Sequence, residues 1–281
     1  MGLGDEIMVT ALVKQAKRKN NFPSVIVNSK SLTRWSLAWE NNPFILNTKE
    51  TAGRLPNSFL KQNYNMIPSG NGGGRHYINY QLSRHHQYYI WKEWDIEPGE
   101  IYLSEKENEL ARSFQDHYSA YGNKPLILVE PTFKGHLQGN KDWGTLNWLR
   151  LIELFDKHMI IPVQLTHFFT NTNITLVQHK LKTMRELLAY ISVADTFITT
   201  ESGFHHAAAA FNIPGVVIFG GFISPRITGY KMHTNIFPEN DTLNNGCGML
   251  IPCQHCKDIM AAITPEQVCY ETLKILERKY G

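Results

Sequence analysis

From residue 125 onward, short unbroken apolar runs alternate with helical patterns, and this alternation most constrains what the chain can fold into. Pro125–Val129, Ile160–Val163, Thr196–Thr200 and Val216–Phe219 read as strands. Leu146–His158, Met184–Val193 and the alanine-rich His205–Phe211 read as the helices between them. A strand that is apolar along its whole length is buried on both faces, which requires a parallel sheet clad by helices. The first half repeats the pattern more weakly. Residues 5–18 place Ile7, Met8, Ala11, Leu12 and Ala16 at helical spacing, and Ser24–Val27 is a short apolar strand. Residues 62–76, rich in Asn and Gly, read as a long loop. The expected architecture is α/β: two Rossmann-like domains whose parallel sheets face a central cleft, with a boundary near residue 122.

Composition removes several classes. With 42% hydrophobic residues and a net charge of +3, the chain is not a disordered polymer. No apolar run reaches the roughly 18 residues of a membrane-spanning helix, and no signal peptide pattern opens the sequence. Four cysteines are too few for a disulfide scaffold, so a cytoplasmic setting is expected. Cys253 and Cys256 form a single Cys-x-x-Cys pair where zinc sites usually show two, which predicts buried, reduced thiols and no metal. The charge is uneven: residues 1–92 carry +8 and the remainder −5. A basic first half suggests an anionic partner, a phosphorylated glycolipid or a nucleic acid, or else a solvated helix face around Lys14–Lys19.

Ligands of open parallel sheets bind beyond the carboxyl ends of strands, where loops enter helix N-termini. Two such turns are informative. Gly2-Leu-Gly4-Asp5 offers close backbone approach through its glycines and a carboxylate at a helix start, which is either a helix cap or a proton acceptor. Thr199-Thr-Glu201-Ser-Gly-Phe-His-His206, followed by four alanines, leads a strand into a helix whose free N–H groups and dipole suit a phosphate. Gly70-Asn-Gly-Gly-Gly74 lacks a preceding strand, so it reads as a flexible loop rather than a dinucleotide fingerprint.

The segment Glu201–Ala210, with Pro214 and Val217-Ile-Phe-Gly-Gly221 behind it, resembles the donor-site signature of glycosyltransferase family 9, which contains the ADP-heptose:lipopolysaccharide heptosyltransferases. Gly2-Leu-Gly-Asp5 is similar to that family's N-terminal turn. Val129-Glu-Pro131 with Lys141-Asp-Trp143, Pro225-Arg226-Ile-Thr228-Gly229, and Cys253, Cys256 with Ile263-Thr-Pro-Glu-Gln-Val268 follow in the family's order. The resemblance is dense over residues 123–275 and thin over 20–120. Glu201 stands where the family has Asp, one methylene longer.

The resemblance implies the two-domain GT-B fold: an acceptor domain over 1–122, a nucleotide-sugar domain over 123–262, and a helix over 263–281 packing back toward the first domain. It implies an inverting, metal-independent transfer from a nucleoside-diphosphate sugar, ADP-linked in the family, with no cofactor beyond that substrate. Asp5 would be the catalytic base and Lys141 the cation facing diphosphate or sugar. Glu201, Ser202, Gly203, His206, Arg226 and Thr228 would bind donor. Gly4, Arg75 and Arg84 would bind an anionic acceptor such as a lipopolysaccharide-type glycan, with peripheral membrane contact compatible with the charge. Three alternatives stay open: phage-type glycosylation of a modified DNA base, a sugar-nucleotide epimerase, and a nucleotide-binding module without turnover.

Overall fold

The computed structural model describes residues 2–28, 30–48, 55–67, 69–70, 90–91, 94–120, 125–131, 139–165, 177–238, 246–249 and 251–280. Helix α1 (Leu3–Lys19) starts two residues earlier than its apolar spacing suggested. Gly2 is its N-cap, and the Gly2 N–H donates to Asp5 Oδ2 at 3.1 Å. Asp5 therefore occupies the third helical position rather than the cap, where a carboxylate satisfies a backbone donor and faces the positive end of the dipole. The helix buries Ile7, Met8, Val9, Thr10, Ala11 and Val13. One side is pressed by residues 98–100: a Cβ on Gly99 would lie 2.4 Å from the Ile7 carbonyl, and Glu100 N donates to Thr10 Oγ1 at 2.7 Å.

Strand β1 (Ser24–Val27) pairs in parallel with β2 (Leu60–Asn63). β2 takes the first residues of the segment expected to be loop. β3 (Ser69–Gly70) and β4 (Ile90–Trp91) form an antiparallel pair. Arg75, Arg84 and the Gly-rich loop at 71–74 lie outside the described residues. Helix α2 (Glu105–Ala120) then leads into the second half.

The second half is a six-stranded, all-parallel sheet. In chain order its elements are β5 (Ile127–Glu130), α3 (Thr145–Lys157), β6 (Val163–Gln164), β7 (Val177–Gln178), α4 (Met184–Ile191), β8 (Thr196–Thr200), α5 (Gly203–Ala210), β9 (Val216–Ile218), α6 (Pro225–Thr228) and β10 (Thr234–Ile236). β6 begins only at the last residue of the apolar run that announced it, because Pro162 has no N–H to give a ladder. Across the sheet the order is β10-β9-β8-β5-β6-β7. The chain runs outward from β5 through β6 and β7, then returns to the other side of β5 as β8. The direction of winding therefore reverses between β5 and β8, the position at which such sheets open a ligand crevice.

Helices α7 (Gln254–Ala261) and α8 (Pro265–Tyr280) close the chain. The sequence expected the last helix to pack toward the first half. Instead α8 lies against α3, β8 and β9, burying Val268, Cys269, Ile275 and Leu276 in the second-half core, and Lys279 pairs with Asp195 at 2.7 Å. The two halves share apolar interior. One cluster joins Ile7, Met8, Ile26 and Trp39 of the first half with Leu128, Leu188, Phe197, Phe204 and Phe219 of the second. Among the described residues no helix is long and apolar enough to cross a membrane.

Candidate active site

The switch point between β5 and β8 gathers the ionisable residues. β8 ends in Thr200, and the chain turns through Glu201 and Ser202 into α5. Ser202 is the N-cap of that helix: its Oγ accepts from Phe204 N at 3.3 Å and lies 3.2 Å from Thr199 Oγ1. The His205 ring completes the cap, Nδ1 accepting the Ser202 N–H at 3.1 Å. The other ring nitrogen lies 3.1 Å from the Thr228 carbonyl, which can only accept. His205 is thus fixed as the neutral tautomer with its proton on Nε2.

Next to it, His206 Nδ1 lies 2.8 Å from the Tyr230 hydroxyl, and its Nε2 is 3.8 Å from Glu201 Oε1. Burial drives both histidines below the usual imidazole range, His206 strongly, and raises the Tyr230 phenol. Tyr230 therefore serves as the donor to His206 Nδ1, which leaves the Nε2 proton of His206 turned toward Glu201. None of these three groups carries charge at neutral pH.

The charge sits on one buried pair. Lys141, from a single 3-10 turn at Gly139–Lys141 after β5, forms a salt bridge with Glu201 Oε2, and both side chains are only 8% exposed. Burial alone would raise the Glu201 carboxyl, but the Lys141 ammonium, with help from His205 and Thr228, brings it below its ordinary value. The Lys141 ammonium also lies 4.8 Å from the centroid of the Phe222 ring. The neighbouring Asn140 positions it: its Nδ2 donates to the carbonyls of Met249 and Ile251 at 2.8 and 2.7 Å, and its Oδ1 accepts from Cys253 N at 2.8 Å.

The start of α1 reaches the same place. A Cβ on Gly203 would lie 2.9 Å from Leu3 Cβ and 3.0 Å from Gly4 N. A Cβ on Gly4 would lie 2.7 Å from His206 Cδ2 and 3.4 Å from Gly203 Cα. Only glycines allow this approach, so the N-termini of α1 and α5 meet, and their positive ends add in one region. Asp5 lies one residue beyond that contact.

The structure thus brings together Gly4, Asp5, Lys141, Glu201, Ser202, Gly203, His206 and Thr228. Thr228 belongs by its carbonyl bond to His205. Arg226, in the first turn of α6, is exposed and points its backbone N–H at Ser224 Oγ, 3.2 Å away. Three basic residues on α1, the face that could equally be a solvated one, have intramolecular partners. Lys14 reaches the Pro98 carbonyl, Arg18 pairs with Glu97 at 3.0 Å, and Lys17 sits over the Phe44 ring. Sequence reasoning gave no role to Asn140, His205, Tyr230 or Phe222. Of these only His205 carried a local signal, three residues after a serine cap.

A two-part, open α/β protein with parallel sheets and its polar cluster at a switch point has the GT-B fold of glycosyltransferases. The chain is similar over nearly its whole length to the glycosyl transferase family 9 from Veillonella parvula DSM 2008. The identity is 15%, the match covers 99% of this chain and 95% of that one, and the TM-score is 0.61. It is also similar to E. coli ADP-heptose lps heptosyltransferase II (17% identity, 68% of this chain, 55% of that chain, TM-score 0.48). A further likeness is to E. coli heptosyltransferase WaaC with ADP (13%, 53%, 44%, TM-score 0.41). Of these last two the chain spans about half the length. No protein-family model and no curated protein matches it. At these identities the shared property is the fold.

Proposed function

We propose that the protein is an inverting glycosyltransferase that moves a sugar from a nucleoside diphosphate, ADP in the first instance, to a hydroxyl of an anionic glycan. The observation that carries this reading is the meeting of two helix N-termini, through Gly4 and Gly203, at the switch point beside buried Lys141. Two dipoles and a cation aimed at one region suit a leaving diphosphate, whose charge grows as the bond to the sugar breaks. Asp5, at the edge of that region, would take the proton of the acceptor hydroxyl as its oxygen attacks the anomeric carbon. The new C–O bond forms as the bond to the diphosphate breaks, and the diphosphate leaves with the electron pair. The nucleotide sugar enters as substrate, not as a resident cofactor. Lys141 has three N–H donors and gives one to Glu201, so its remaining donors can reach an anion without breaking the pair.

Calorimetric titration with ADP, UDP and the corresponding nucleosides tests the donor site. Replacing one partner of the buried pair would leave the other uncompensated, so the informative variant is Lys141→Gln with Glu201→Gln together. It should weaken nucleoside diphosphate binding about tenfold or more, roughly 1.4 kcal/mol, and leave nucleoside binding unchanged. Equal diphosphate affinity in the wild type and the double variant, or no binding of either diphosphate, overturns the assignment.

A further inference from the structure

Away from the charged pair, a second set of polar side chains converges without a role in sugar transfer. Cys247, Cys253, His255 and Cys256 place three sulfurs and one ring nitrogen within 4.8 Å of one another. Cys247 Sγ lies 3.7 Å from Cys253 Sγ and 3.1 Å from Cys256 Sγ, and His255 Nδ1 lies 4.0 Å from Cys256 Sγ. Sulfurs bound 2.3 Å from one tetrahedral ion would be about 3.8 Å apart, close to this spacing. A disulfide needs about 2.05 Å, which none of these pairs approaches.

The backbone is arranged to hold the cluster. Cys253 is the N-cap of α7 but makes no cap hydrogen bond, and His255 and Cys256 follow in the first turn. Cys247 comes from a turn in which the flanking Gly246 and Gly248 have φ of 85° and 62°, values that side chains rarely adopt. That turn is anchored: Cys247 N donates to the Gly221 carbonyl at 2.8 Å and Gly248 N to the Phe222 carbonyl at 2.9 Å. Met249 N donates to Cys247 Sγ, 3.5 Å away. Gly221 leaves room for the imidazole, since a Cβ there would lie 2.5 Å from His255 Cε1. Cys253 and His255 are half-exposed, which gives an ion a way in.

We propose that Cys247, Cys253, His255 and Cys256 bind one thiophilic divalent metal ion, zinc by the nature of the ligands, in a closed tetrahedral site. Four protein ligands leave no position for a substrate, so the ion is structural. Binding releases the protons still on the three thiols, and the imidazole binds neutral. The closed site carries a net charge of −1, which the N-terminal N–H groups of α7 favour. The ion would clip the turn at Cys247 to the start of α7, and through the Met249, Ile251 and Cys253 backbone it would brace Asn140. Cys269 lies in the other apolar cluster and takes no part.

The test uses the full chain, isolated in reductant without chelator. Elemental analysis should find about one metal ion per chain and tell zinc from iron, which thiolate-rich sites also take. Cobalt added to the metal-free protein should give the intense visible bands of a tetrahedral ion and a thiolate charge-transfer band. Cys253→Ser, and Gly221→Ala through its push on His255, should each weaken metal binding at least tenfold, whereas Cys269→Ala keeps it. Because the wild-type stoichiometry decides alone, a variant that fails to fold does not spare the proposal. A wild-type protein that binds neither zinc nor cobalt, and whose Cys247, Cys253 and Cys256 thiols stay fully reactive in excess zinc, overturns it. So does a cobalt complex that survives unchanged in Cys253→Ser.

Discussion

Asp5 has two jobs available to it, and they separate on substitution. Its Oδ2 holds the Gly2 N–H at 3.1 Å, so the carboxylate supports the first turn of α1 whatever else it does. Asn keeps an oxygen for that bond and loses only the charge facing the dipole, which at a helix start stabilises by about 0.3–1 kcal/mol. Asp5→Asn should therefore melt close to the wild type, while Asp5→Ala loses about 1 kcal/mol as the cap partner disappears. As a base, neither replacement can take the acceptor proton, and single-turnover sugar transfer should slow by on the order of 10² to 10⁴ in both. Donor affinity should hold, because the proton in question is the acceptor's. Near wild-type transfer in Asp5→Asn would reduce Asp5 to a helix-capping residue. The extra methylene of Glu201 also acquires a reason at this scale. It lets one carboxylate bridge Lys141 through Oε2 while Oε1 faces His206.

Among elements, the joint between α4 and α2 is the most testable. Arg185 on α4 makes two bonds of 2.6 Å to Glu107 on α2 and donates to the carbonyls of Leu37 and Tyr102, at 3.1 and 2.7 Å. Arg185 lowers the Glu107 carboxyl from 4.5 to about 2. A depressed carboxyl contributes stability that is complete above its unfolded pKa and lost as pH falls through the folded value. Glu107→Gln should thus cost about 2–3 kcal/mol at pH 7, since it leaves a nearly buried guanidinium with only the more distant Glu40 carboxylate, 3.8 Å away. The gap between wild type and variant should close as pH falls from about 5 to about 2, by denaturant titration at each pH. A gap that stays constant down to pH 2 means the pair contributes through its shape and not its charge. Element types were readable wherever one strong local cause dominated. β5, β8 and β9 are buried along their whole length because helices cover both faces. The helix α2 went unread, although its start carries a local signal in Ser104-Glu-Lys-Glu107, whose Ser104 N and Oγ both reach Glu107 Oε2. β7 is two residues long and β10 carries Thr and Asn, so no periodicity could announce them.

At the scale of the whole molecule, the candidate site was half legible. The turn after β8 could be read because small polar residues before an alanine run have one physical use. The Lys141–Glu201 bond spans 60 positions, and the His206–Tyr230 contact and the Asn140 brace are likewise tertiary, so no local pattern encodes them. The α8 placement was missed for a related reason: its apolar face is generic, and only the shape of the groove on α3 and β8 selects its partner. The glycine contact between α1 and α5 has a consequence for how the chain is made. Gly4 and Gly203 are about two hundred residues apart, so α1 leaves the ribosome long before the helix that covers it exists. At about 5–20 residues per second the wait is roughly 10–40 s. During it Ile7 and Met8, which end in one cluster with Phe204 and Ala207, have no such partner to bury them. Nascent chains arrested short of residue 200 should be cut by protease within α1, and chains arrested well beyond α5 should resist; equal resistance at both lengths would mean that the first half shelters α1 unaided. The apolar face of α1 therefore waits for its α5 partner through most of the time the chain takes to be translated.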